Sequence, residues 1–123
     1  MKKIIALSLA ALLLLSLCSC GGKPGKTSDA MYQIGTNALT TADEYIGGKI
    51  AGDEAENKLK EYEKQASAQY EKSKAEDYEH DWDISFAVSM LEDAIFNSNR
   101  IVNTGPMSEV KEARDALAKE LGK

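Results

Sequence analysis

After position 20 the sequence contains no cysteine, and the two it has, Cys18 and Cys20, stand one residue apart. That spacing argues against a structural disulfide. His80 is the only histidine, so with no thiol downstream the chain offers too few nitrogen and sulfur ligands for a zinc site. There is no glycine-rich phosphate loop and no nucleophile elbow, and therefore no recognisable catalytic constellation. Strand-like alternation is also missing. The longest apolar run, Ile4 to Leu17, covers fourteen residues with only Ser8 and Ser16 interrupting it, whereas a transmembrane helix needs about 20.

What is present at the amino terminus is an address. Lys2 and Lys3 precede the apolar run, and an abrupt change to Gly21, Gly22, Lys23, Pro24 and Gly25 follows it. This is the build of a secretory signal peptide. Leu17, Ser19 and Cys20 then resemble the lipobox of bacterial lipoproteins, with a leucine three residues upstream of the cysteine and a small residue directly before it. Cys18 fits that pattern less well, because Leu17 would occupy the small-residue position. The resemblance covers about the first 22 residues. It implies a diacylglyceryl thioether on Cys20, removal of residues 1–19, acylation of the new amino terminus by a chain such as palmitate, and a place on the extracytoplasmic side of the cell membrane.

Removal of residues 1–19 from 123 leaves 104, enough for one modest domain. It is too short for a two-lobed solute-binding protein. Without Lys2 and Lys3 the 15 basic side chains become 13 against 20 acidic ones, a formal charge of −7. Such a domain is a poor match for nucleic acid or for general attraction to anionic lipid. Membrane attachment therefore falls to the acyl chains, at about 0.8 kcal/mol per buried methylene.

Residues 20–27 read as the lipidated cysteine and a flexible tether, and residues 28–123 as a helical domain. Met31, Ile34, Ala38, Ala42, Tyr45 and Ile46 recur at three- and four-residue intervals and predict a helix over 29–46, capped by Ser28 and ended by Gly47 and Gly48. Gly35 lies on its apolar face, where a second helix can approach closely. A second helix is expected from Gly52, with a thin apolar face of Ala55, Leu59, Tyr62, Ala66 and Tyr70 and an otherwise solvated surface carrying the pairs Glu54–Lys58 and Glu56–Lys60. The third, from about Asp83 to Asn99, has the broadest stripe: Ile84, Ala87, Val88, Leu91, Ala94 and Ile95, extended by Met90. The fourth follows the turn at 103–106, with Pro106 at its first position and Val110, Ala113, Leu117 and Leu121 inside. Short connections favour antiparallel neighbours, so the fold class is all-α, a small antiparallel bundle of four helices, with three helices as the alternative.

Two features are candidates for function. The segment from Glu76 to Asp83 gathers five carboxylates and His80. It reads either as an acidic turn in which Asp81 or Asp83 caps the third helix and Trp82 packs on the bundle, or as a collector of a divalent cation through His80 and Glu76. Phe96 is the second, because at 100° per residue it falls among Ser85, Ser89, Glu92 and Arg100 on the expected wet face. It covers a neighbouring helix or contacts a partner. The expectation is a non-catalytic, lipid-anchored interaction domain with no metal and no cofactor, for which Cys20 is the attachment site and Phe96 the partner contact, the partner being an envelope or extracellular protein. The alternative is a binder of a small ligand or cation, using the bundle interior or residues 76–83.

Overall fold

The computed structural model describes residues 24–73, 78–100 and 107–123. Cys18, Cys20, Glu76, Asp77 and Pro106 lie outside the described residues, and with them the signal and lipidation readings. Among the described residues four helices follow in order: α1 (Asp29–Ile46), α2 (Gly52–Ser73), α3 (Glu79–Arg100) and α4 (Met107–Glu120).

Helix α1 has the expected limits because both ends are chemically marked. Ser28 is extended, and its Oγ accepts the Met31 N–H at 3.2 Å. At the other end the Gly47 amide donates to the Asp43 carbonyl at 2.9 Å, and Gly48 takes the left-handed conformation, φ 72°. Helix α3 begins one turn earlier than the sequence pattern suggests. Glu79 and Asp81 stand in its first turn, where carboxylates favour the helix dipole, and the part of the polar run from Glu79 to Asp83 is helical rather than turn. Asp81 and Asp83 are consequently inside the helix and do not cap it.

Contacts between helix ends fix the directions. Ser28 at the start of α1 meets Asp81 at the start of α3, and Tyr45 near the end of α1 bonds Ser98 near the end of α3 at 2.9 Å, so these two helices are parallel. Asp53 at the start of α2 meets Asn99 at the end of α3, and Gly35 in α1 lies against Leu121, just beyond α4. Helices α2 and α4 thus run opposite to the other pair, giving an up-and-down bundle. Helices α1 and α3 each pack against all three others, with α2 and α4 on opposite sides of that pair.

The core follows the stripes read from the sequence, with Tyr32, Leu39 and Ala118 added to it and Tyr45, Ile46, Tyr62, Tyr70 and Ala113 only half-buried at its margin. Met31, Leu59, Ile84, Val88, Leu91, Ile95, Val110, Leu117 and Leu121 are all fully buried, each contributing about 1.5–3 kcal/mol through burial. At Gly35 a Cβ would stand 2.9 Å from both Ile84 Cγ2 and Leu121 Cδ2, so the missing side chain is what lets α1 close on its neighbours. Thr27, at the end of the segment expected to be tether, is buried as well. Lys26 pairs with Glu79 at 2.9 Å, and the chain is docked on the bundle ahead of α1.

Candidate functional site

The acidic segment serves the fold first. Asp81 is fully buried: one of its carboxylate oxygens accepts the Ser28 N–H at 2.8 Å, and the other accepts both the Ser28 hydroxyl, at 2.5 Å, and the Ser73 hydroxyl. One carboxylate therefore joins the start of α1, the end of α2 and the start of α3. Two of its three donor groups belong to Ser28, 53 residues away in sequence, and no local pattern could have revealed them.

At the opposite end Glu56, expected on a solvated face, is buried. Its carboxylate receives Lys60 Nζ at 2.8 Å, Asn99 Nδ2 at 3.0 Å and Arg100 at 3.2 Å. The Lys60 and Asn99 hydrogen bonds, with the nearby Arg100 charge, hold the Glu56 pKa below 4.5 against the effect of burial. Gly52 makes room for this cluster, since a Cβ there would lie 2.1 Å from the Asn99 oxygen.

Glu92, which belongs by angle to the expected wet face, is also buried. Burial, and then the neighbouring charges of Glu63 and Asp93, push its pKa above 4.5. A raised carboxyl pKa means that the folded state binds the proton more tightly than the unfolded chain. The ionised form is thus destabilising above the folded pKa, and stability is gained as pH falls from that value toward 4.5. Glu92→Gln is expected to raise the melting temperature at pH 7 and to flatten the pH dependence of stability just above pH 4.5. An unchanged melting temperature in calorimetry at pH 7 would contradict this assignment.

Among the described residues the large apolar side chains left in solvent are Trp82 at 50% exposure, Phe86 at 53%, Met90 at 48% and Phe96 at 36%. Trp82, Phe86 and Met90 follow one another at four-residue steps and form a ridge along α3, about 6 Å apart. Trp82 and Phe86 stack, with ring centroids 5.2 Å apart and planes inclined by 10°. Trp82 is therefore not packed against the bundle, and Met90 does not extend the buried stripe. At 100° per residue Met90 lies about 100° from the centre of that stripe at Leu91, too far round the helix to reach the core.

Phe96 is exposed, as its angle implies, but it faces the edge of α2. Its ring lies under the Arg100 guanidinium, 4.8 Å from the centroid, and the Lys60 ammonium, at 5.5 Å. The face expected to be wet is in fact a polar seam between α2 and α3, where Ser89 also donates to Glu63 at 3.2 Å. The more accessible aromatic surface is the ridge.

Beside the ridge a groove of about 570 Å³ runs between α3 and α4. The buried Ala87 and Ala94 of α3 and the more exposed Ala113 and Ala116 of α4 line it, small residues that leave the space open, together with Phe86 and Met90. Asp83 and Glu120 stand at one end. Asp93, Glu109 and Glu112 lie toward the other, by the antiparallel register of the two helices, and among the described residues no basic side chain lines the groove.

His80, Asp83 and Glu120 bring their ligand atoms within 4.8 Å of one another, a nitrogen and two carboxylates on the surface. The histidine already pairs with Asp83 at 3.6 Å. None of the helices among the described residues is long and apolar enough to cross a membrane. The chain matches no protein-family model, and neither a curated protein nor a solved structure matches it significantly.

Proposed function

We propose that this chain is an exported lipoprotein, anchored through Cys20 on the extracytoplasmic side of the membrane, whose bundle is a non-catalytic protein-interaction module. The observation that carries the interaction role is the ridge of Trp82, Phe86 and Met90. About half of each side chain is left in water although α3 has an ample inner face. Clustered exposed apolar groups mark interaction sites, and aromatics contribute most where a partner desolvates them. The contact surface thus centres on the ridge, with Phe96 at its α2 flank.

Anchoring is tested by metabolic labelling with a clickable palmitate. Cys20→Ala is expected to abolish the label and leave precursor or released protein, whereas Cys18→Ala should still be labelled and processed. An acylated Cys18 at the mature amino terminus would refute the choice of cysteine.

The cation-binding alternative rests on His80, Asp83 and Glu120, with Glu120 in place of Glu76. It requires a saturable change in Trp82 fluorescence on titration with Zn²⁺ or Ca²⁺, and for Zn²⁺ its loss in His80→Ala. A silent titration leaves the interaction module.

A further inference from the structure

The ridge says that something docks; the groove beside it says what chemistry docks there. We infer that the α3–α4 groove receives one amphipathic helix of a partner protein, carrying an apolar stripe and basic residues toward both of its ends. The inference rests on the interaction reading above and adds the partner's character.

Three observations carry it. First, the groove has the length of a helix: from Asp83 to Asn97 along α3 is fourteen steps, about 21 Å at 1.5 Å per residue, or four turns of an incoming helix. Second, its lining suits one. The alanines permit close approach of a backbone, and Phe86 and Met90 stand one turn apart to interdigitate with side chains at i and i+3 or i+4. Third, charge selects the sign. Five carboxylates flank the groove, and Glu109, Glu112 and Glu120 have no cationic partner among the described residues.

The carboxylates are also placed rather than scattered. Asp83 with Glu120 marks one end and Asp93 with the start of α4 the other, ten residues apart on α3, so the matching basic residues should be separated by about 15 Å, or ten to eleven helical positions. A second copy of this chain would bring the same carboxylates face to face if it docked by this groove, and like charges opposed across an interface are strongly unfavourable.

The test is photocrosslinking of the full lipoprotein in the cells that make it, with p-benzoylphenylalanine at Met90 or, separately, at Phe96. The expected product at Met90 is an adduct whose sequenced partner segment has apolar residues at three- and four-residue spacing and lysine or arginine at both ends. That segment, made as a synthetic peptide, should shift Trp82 fluorescence saturably when titrated into the lipoprotein in phosphatidylcholine nanodiscs, with empty nanodiscs as control. Its affinity should fall at least tenfold in Asp93→Lys/Glu112→Lys, and likewise in 0.5 M salt. An adduct with lipid, with a second copy, with residues 4–17 of the same chain or with a non-basic segment overturns the inference, as does a peptide indifferent to charge reversal. A protein adduct at Phe96 with none at Met90 overturns it while the interaction reading stands; no protein adduct at either position removes both.

Discussion

Replacing Leu91 by alanine is expected to lower the stability of the domain by about 2–5 kcal/mol, the usual cost of truncating a fully enclosed leucine. Leu91 has no solvent exposure and lies midway along α3, one of the two helices that pack against all three others. The space it leaves is bounded by well-packed neighbours on several elements, so little of it can close by local relaxation. For a domain of about 100 residues each 1 kcal/mol moves the melting temperature by about 4–8 °C. Urea unfolding followed by circular dichroism gives the measurement. A loss below about 0.5 kcal/mol, the scale of an exposed site, would place Leu91 outside the core and overturn the packing described above.

Asp81→Ala is expected to rank beside it, at about 3–5 kcal/mol, by a different mechanism. Removal of the carboxylate leaves the Ser28 N–H and the Ser28 hydroxyl without their acceptor in a buried place, while the Ser73 hydroxyl keeps the Gln69 carbonyl, 2.8 Å away, as its acceptor. Hydrogen bonds to a charged group contribute about 1.5–3 kcal/mol each, less than additively when they share one acceptor. Asp81→Asn keeps a carbonyl oxygen for the Ser28 amide, and the hydroxyls can turn to accept from the new NH₂, so about half the loss should remain. Hydrogen exchange separates this from a general loosening: the Ser28 amide should lose protection in Asp81→Ala by more than the amides at the middle of α3. Equal losses throughout would show that the carboxylate has no local clamping role.

The two predictions differ in how far sequence alone could reach them. Leu91 sits at the centre of a stripe with helical period, and that period is a local property of α3, so its burial is legible without knowing any other helix. The limits of α1 are legible for the same reason, since Ser28, Gly47 and Gly48 act on their own backbone. Asp81 is the opposite case. A carboxylate near a helix start reads as a cap on any sequence, and only the meeting of α1, α2 and α3 turns it into a buried clamp. Glu56 and Glu92 are hidden in the same way: their charge predicts solvent, but neighbouring helices cover them.

The surface was legible in part. The helical angle of Phe96 sets it off the apolar stripe, and it is exposed, but angle alone does not tell which neighbouring helix passes beside it. Met90 shows the converse, being apolar and near enough to the stripe to seem part of it. The groove was not legible at all. Its lining of alanines looks from sequence like ordinary core, and its acidic margins come from two helices whose register had to be known.

The Asp81 clamp also has a mechanical meaning. Any pull on the chain ahead of Ser28 enters the bundle at one point, and a lone helix held there by its own hydrogen bonds could be peeled from its first turn. Here the Ser28 amide and hydroxyl are held by α3, and the same carboxylate is held by Ser73 of α2. Tension arriving at the amino end is therefore shared among three helices from the first residue of the fold, with Lys26 and Glu79 as an outer strain relief. A pull from this end would load α1, α2 and α3 together before it could open the first turn of α1.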